Sequence, residues 1–169
     1  MNRIIKLYYA GRDKMTISVF DAAKRLCEKS GWSLTNLELQ KLIYLAHMFH
    51  LGQYNEPLVK EHFEAWDYGP VQPDLYHHIK VYGSSKVKSM FRLGKDIEDD
   101  TSEAKILDKV CEQLSSKPAR WLVAVTHWQD GAWAKHYHST SFSEIIPDED
   151  VHQEYINREK NAAARQQPS

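Results

Sequence analysis

The residues best suited to chemistry are the histidines. His47 and His50 lie three apart in LELQKLIYLAHMFHL, and on a helix they share a face. A zinc site needs a third and fourth ligand, usually with a carboxylate behind them. His62, His77, His78, His127, His136 and His138 supply none at an established metal spacing, and no HExxH or CxxC occurs. The expected state is histidines satisfied by hydrogen bonds, with no metal and no other cofactor. Cys27 and Cys111 sit on predicted helices, without metal spacing, and read as reduced and buried. No GxSxG elbow, Cys–His signature, P-loop or GxGxxG is present. Glu61 and Glu64 form the nearest carboxylate pair, and a solvated pair is the ordinary reading. The chain is therefore not expected to be an enzyme.

Aromatic residues carry the stronger signal. Trp66, Tyr68, Tyr76, Trp121, Trp128 and Trp133 fall at turns or element ends. There they either fill a core or anchor an interface, where Trp and Tyr are enriched. Tyr68 and Trp133, with charged neighbours Asp67 and Lys135, rank above Trp121 as interface candidates.

These residues hang on one stretch, Trp32 to Leu51. Thr35 and Glu38 make a capping box, Leu34 and Leu39 have the spacing of a hydrophobic staple, and Gly52 is placed to end the helix. Leu39, Leu42, Ile43, Leu45, Ala46, Phe49 and His50 share one arc, the core side. Gln40, Lys41, Tyr44 and His47 share the other with Leu37 and Met48, a surface covered either by this chain or by a partner. A preceding helix starts at Ser18 and Asp21 and stops at Gly31. Leu58 to Trp66 reads as a short extended segment or strand pair, and Pro73 opens a helix that Gly83 stops. Residues 84–100 read as a long connection with a short strand near Val87 to Leu93. Helices follow from Thr101 or Ser102, from Pro118, and from Trp133 to Tyr137. A final polar helix ends near Lys160. The expected fold is mainly α with a small β element, a compact single-domain, helical bundle-like fold. Its domain is placed at residues 16–160, after a lead at 1–15 that patterns as an extension or a misassigned start, and before a disordered tail at 161–169.

With 169 residues, 42% hydrophobic and 27% charged, the chain has the material for one core. A net charge of −1 gives no case for nucleic acid or an anionic membrane. No apolar run approaches the roughly 20 residues of a membrane span. The short mixed N-terminus is not a signal peptide, so a cytoplasmic protein is expected.

Three segments together resemble the Panacea domain of SocA- and GepA-like antitoxins: LTNLELQKLIYLAHMFHLG, EPLVKEHFEAWDYGPVQPDLYHHIKVYG and WLVAVTHWQDGAW. The likeness runs from about Thr16 to Arg158. Its pattern falls on Leu39 to Leu42, Tyr44, Glu64 to Trp66, Tyr68 to Val71, Pro73, Leu75, Tyr76, Thr126, His127, Ala132 and Trp133. The resemblance implies a prophage-type antitoxin that neutralises a cognate protein toxin by direct binding. A homo-oligomer is compatible with it. A protease adaptor that delivers the toxin, docking through the 161–169 tail, is one alternative, and an enzyme reversing the toxin's modification is another. Operator binding is not expected, since the chain carries no DNA-binding module. The expected partner-binding residues are Gln40, Lys41, Tyr44, His47, Trp66, Tyr68, Pro70 and Trp133.

Overall fold

A computed structural model describes residues 16–88, 91–139 and 143–165. The lead at 1–15 and the last four residues of the expected tail lie outside them. Helix α1, Val19–Lys29, starts where Ser18 and Asp21 bond each other's amides. Helix α2, Asn36–Tyr54, starts on the capping box of Thr35 and Glu38, with Leu34 and Leu39 both buried. Gly52 does not end it. The helix runs to Tyr54, and Asn55 takes the left-handed turn at φ 55°. Gly52 instead lets the Tyr155 ring lie against the helix, where any Cβ would collide with it. Local sequence cannot show this, because Tyr155 lies about a hundred residues downstream.

Helix α2 is buried on nearly every side, as a central rather than an amphipathic surface helix. Around it pack α1, α3 (Pro73–Ile79), α4 (Ser102–Leu114), α5 (Ala119–Thr126) and α7 (Asp148–Arg165). Pro73 takes the first position of α3, which a 3₁₀ turn extends through Tyr82, and Thr101 caps α4. The short helix α6, Ala132–His136, lies against α7 and the sheet. The core joins Leu26, Leu42, Leu45, Leu75, Leu107, Leu122 and Val151 into one apolar cluster.

The β element is a three-stranded antiparallel sheet in the order β2-β1-β3. Strand β1 is Phe63–Trp66, β2 is Gly69–Val71 and β3 is Ile145–Ile146. Only the second half of the expected 58–66 segment is strand; Val59 makes a single parallel bridge to Ile17. Among the described residues no strand forms near Val87 to Leu93. Val87 N–H donates to Leu34 O at 2.8 Å, and Phe91 adopts φ 41°, which breaks an extended run. Strand β3 was not expected. The fold is thus mainly α with a small β element, as expected from the sequence. Residues 161–165, placed in the expected tail, continue α7.

Arg25 pins the long connection to the helices. Its guanidinium donates to both carboxylate oxygens of Asp108, to Asp99 and to Ile97 O, at 2.7 to 2.8 Å. Among the described residues no helix is long and apolar enough to cross a membrane.

Candidate partner-binding site

The β1–β2 hairpin turns through Asp67 and Tyr68 into Gly69. Gly69 has φ 96°, and a Cβ there would stand 3.0 Å from Lys41 Nζ and 3.1 Å from the His127 ring. Backbone conformation and crowding both require glycine. Directly below lie the residues of α2 that were expected to meet a partner.

Gln40, Lys41, Tyr44 and His47 are all buried, at 2% exposure or less. Each holds another part of the chain. Gln40 Oε1 accepts from Gln72 N–H at 2.8 Å, and its Nε2 donates to Gln72 O at 3.3 Å. Lys41 Nζ donates to Pro70 O at 2.9 Å. Tyr44 OH donates to Glu154 at 2.9 Å, and His47 Nε2 is 2.9 Å from Asp148. The second arc of α2 is therefore covered by the hairpin, by the segment leading into α3, and by α7. These contacts leave the four side chains inside the domain.

Two basic groups share this interior. Burial pushes the Lys41 ammonium down to about 7. His127 is also held below the usual imidazole range, first by burial and then by Lys41, with a backbone hydrogen bond to Tyr68 pulling the other way. His127 stacks flat on Trp133, 3.9 Å between ring centroids, and its Nε2 has no hydrogen-bond partner among the described residues. Trp133 itself is only 7% exposed and donates from Nε1 to Trp66 O at 2.8 Å. It supports the hairpin from inside, whereas Trp121, ranked below it from sequence, is 38% exposed. Trp121 lies on the outer face of α5, and a helix face of Trp121, Leu122 and Val125 is too short to show which member points inward.

Glu154 was not anticipated. It is 1% exposed and accepts from Tyr44 OH, Ala132 N–H and Arg158 Nε and Nη2, all at 2.6 to 2.9 Å. One carboxylate thus joins α2, α6 and α7. Burial, followed by Glu154, raises the Tyr44 phenol well above its usual range. A sequence signal existed: Val151, Glu154, Tyr155 and Arg158 follow the i, i+3, i+4, i+7 spacing of an inward stripe.

The hairpin tip differs from its base. Pro70 is buried, Trp66 is half-buried, and Tyr68 is 72% exposed. Trp66 Nε1 donates to Glu64 at 2.8 Å, and its ring meets Tyr76 edge to face at 4.8 Å. Beside the tip opens a cavity of about 630 Å³, lined by Trp66, Tyr68, Tyr76 and Tyr137 and by Asn36 and Gln40 of α2. Of the eight expected site residues, Gln40, Trp66 and Tyr68 reach this cavity. Asn36, Tyr76 and Tyr137 reach it too and were not among the eight.

Neither Lys41 nor His127 lines the cavity. His50, the partner of His47 in the metal reading, has Glu56 O at 2.7 Å and Ser102 Oγ at 3.0 Å on its two ring nitrogens. Among the described residues no three His, Cys, Asp or Glu side chains are grouped to hold a metal ion.

The arrangement describes a small helical scaffold that displays a braced aromatic hairpin beside an open cavity. Residues 39–134, more than half of the chain, match the family described as antitoxin SocA-like, Panacea domain. The chain belongs to that family. It is similar to antitoxin SocA of Caulobacter vibrioides (strain NA1000 / CB15N), with 33% identity over 112 residues, covering 59% of this chain and 58% of that protein. The chain thus spans less than two thirds of the length of this relative. No solved structure matches it.

Proposed function

We propose that this chain is an antitoxin of the cytoplasm that neutralises a cognate protein toxin by binding it directly, with the β1–β2 hairpin tip as the contact. Membership of the SocA-like family and the name of the relative support the antitoxin role. One observation carries the choice of surface: Tyr68 stands 72% exposed on a hairpin whose base is fixed from below by Lys41, Gln40 and Trp133. A large aromatic held on a rigid support loses little entropy on binding, which is what an interface anchor requires.

Co-expression with the product of an adjacent toxin-like gene tests this. Masking gives a sharp endpoint near equimolar antitoxin when toxin activity is titrated, and the two proteins co-purify. Neutralisation by small, catalytic amounts would overturn it in favour of enzymatic reversal. Neutralisation that vanishes when cellular proteases are removed would overturn it in favour of an adaptor.

A further inference from the structure

Three rings stack in a column against the β1–β2 hairpin. His127, the residue that ends α5, lies flat on Trp133 of α6, with 3.9 Å between centroids and 2° between planes. Trp133 in turn lies on Tyr137, at 4.6 Å and 18°. Tyr137 caps the end of α6 one turn after Trp133, a spacing that brings two side chains together. Each ring holds one residue of the hairpin turn. Trp133 Nε1 donates to Trp66 O at 2.8 Å, and Tyr137 OH donates to Asp67 Oδ1 at 3.0 Å. His127 lies 3.1 Å from where a Cβ on Gly69 would stand. Tyr68 falls between these anchored positions and extends its own side chain into solvent. The attachments differ in depth: Trp133 is 7% exposed, whereas the bond from Tyr137 to Asp67 is open to solvent. An exposed hydrogen bond adds little to global stability, because water replaces it when it breaks. Its effect is local, and Asp67 is the neighbour of Tyr68 in a two-residue turn.

We propose that Tyr137 is a positioning residue for the partner contact: held by the ring column, its hydroxyl fixes Asp67 and so sets the turn in the conformation in which Tyr68 meets the toxin. This rests on the reading of the chain as an antitoxin that binds through the hairpin tip. Without the hydroxyl the turn spends part of its time in other conformations, and binding weakens in proportion to the share that the competent one keeps. That loss falls on association, because a bound tip is held by the partner and leaves at the parent rate. A residue that touches the partner behaves differently, since lost contacts appear mostly in dissociation.

Tyr137→Phe keeps the stacked ring and removes the hydroxyl. In the full, ¹⁵N-labelled chain alone, the Tyr68 and Gly69 amides should gain mobility, seen as lower order parameters or as new relaxation dispersion. The melting temperature should not change. With the product of an adjacent toxin-like gene as the binding probe, association should slow about tenfold, as for a tip that is competent about a tenth of the time. Dissociation should keep the parent rate. Asp67→Asn retains an acceptor for the hydroxyl and should preserve the parent association rate. Asp67→Ala should slow association, and adding Tyr137→Phe to it should slow it no further. An unchanged tip, an unchanged association rate, faster dissociation, a lowered melting temperature, or a further slowing in the Asp67→Ala background would each overturn the positioning role. Neutralisation by the unaltered chain is scored separately. A chain that neutralises the toxin while Tyr137→Phe leaves its tip unchanged loses the positioning role and keeps the antitoxin role. A chain whose tip is loosened by Tyr137→Phe but which neutralises no adjacent gene product keeps the hold of Tyr137 on the turn and loses the antitoxin role.

Discussion

The interior row of α2 and the tip of the β1–β2 hairpin belong to the same matched region, yet they have opposite relations to water. Gln40, Lys41, Tyr44 and His47 are at most 2% exposed, whereas Tyr68 is 72% exposed. The polar chemistry of the row is spent inside the chain, on Gln72, Pro70, Glu154 and Asp148. The tip has few such obligations. The contrast separates residues that build a contact surface from residues that are the surface, and substitutions in the two places should fail differently.

The largest effect belongs to the interior. Glu154→Ala leaves the Arg158 guanidinium, the Tyr44 hydroxyl and the Ala132 amide without their shared acceptor. Losing one partner of a buried ionic network costs on the order of 3–5 kcal/mol. Urea unfolding should show that loss, and a change below about 1 kcal/mol would mean the carboxylate is not the hub described here.

Lys41 comes next. Its folded value of about 7 lies below the ordinary 10.5, so between those limits the unfolded chain binds more protons than the folded one. Stability therefore rises with pH across that window, by up to roughly 1.4 kcal/mol per unit from this group. Below the folded value both states carry the proton and the burial penalty is fully present. Lys41→Met should flatten this slope when melting is compared at pH 7 and pH 9. Parallel slopes in the two proteins would show that Lys41 is solvated.

Gln40→Ala is smaller. It strips the Gln72 N–H of its acceptor, at about 1–3 kcal/mol for the group left unsatisfied, while Gln72 O keeps the Tyr76 N–H at 3.0 Å. The loss should appear in thermal melts, and toxin binding should fall only as the hairpin loosens. The smallest change in stability comes from the tip. Tyr68→Ala should stay within about 0.5 kcal/mol of the parent while toxin affinity drops at least tenfold. Equal losses of stability and affinity would erase the distinction between row and tip.

Features fixed by neighbours in the chain were legible in the sequence. The capping box at Thr35 and Glu38, the cap at Ser18, Pro73 at the start of α3 and the mainly helical class all depend on a few adjacent residues. Features fixed at long range were not. Gly52 looks like a helix stop until Tyr155 is seen across it, and a two-residue strand such as β3 has no periodicity to detect. The helical wheel separated Gln40, Lys41, Tyr44 and His47 from the apolar arc correctly. What covers that second arc is a tertiary fact, and Pro70, Gln72, Asp148 and Glu154 lie as far as 110 residues from their partners. Polar side chains on a helix give the same pattern whether they meet solvent, a partner or buried backbone. Tyr68 and Trp133 rank alike in the sequence as interface candidates, yet Tyr68 is 72% exposed and Trp133 only 7%. A charged neighbour, Asp67 or Lys135, does not show which way the ring beside it faces.

The grip of α2 on β2 has one more consequence. A short sheet ordinarily leaves its margins open, and an open margin invites a stray strand, then a stack of them. Pro70 has no N–H to offer, its carbonyl is already taken by Lys41, and both main-chain groups of Gln72 are taken by Gln40. That margin cannot template another chain, so a molecule that displays an aromatic hairpin is spared the self-adhesion such a display would otherwise invite along β2.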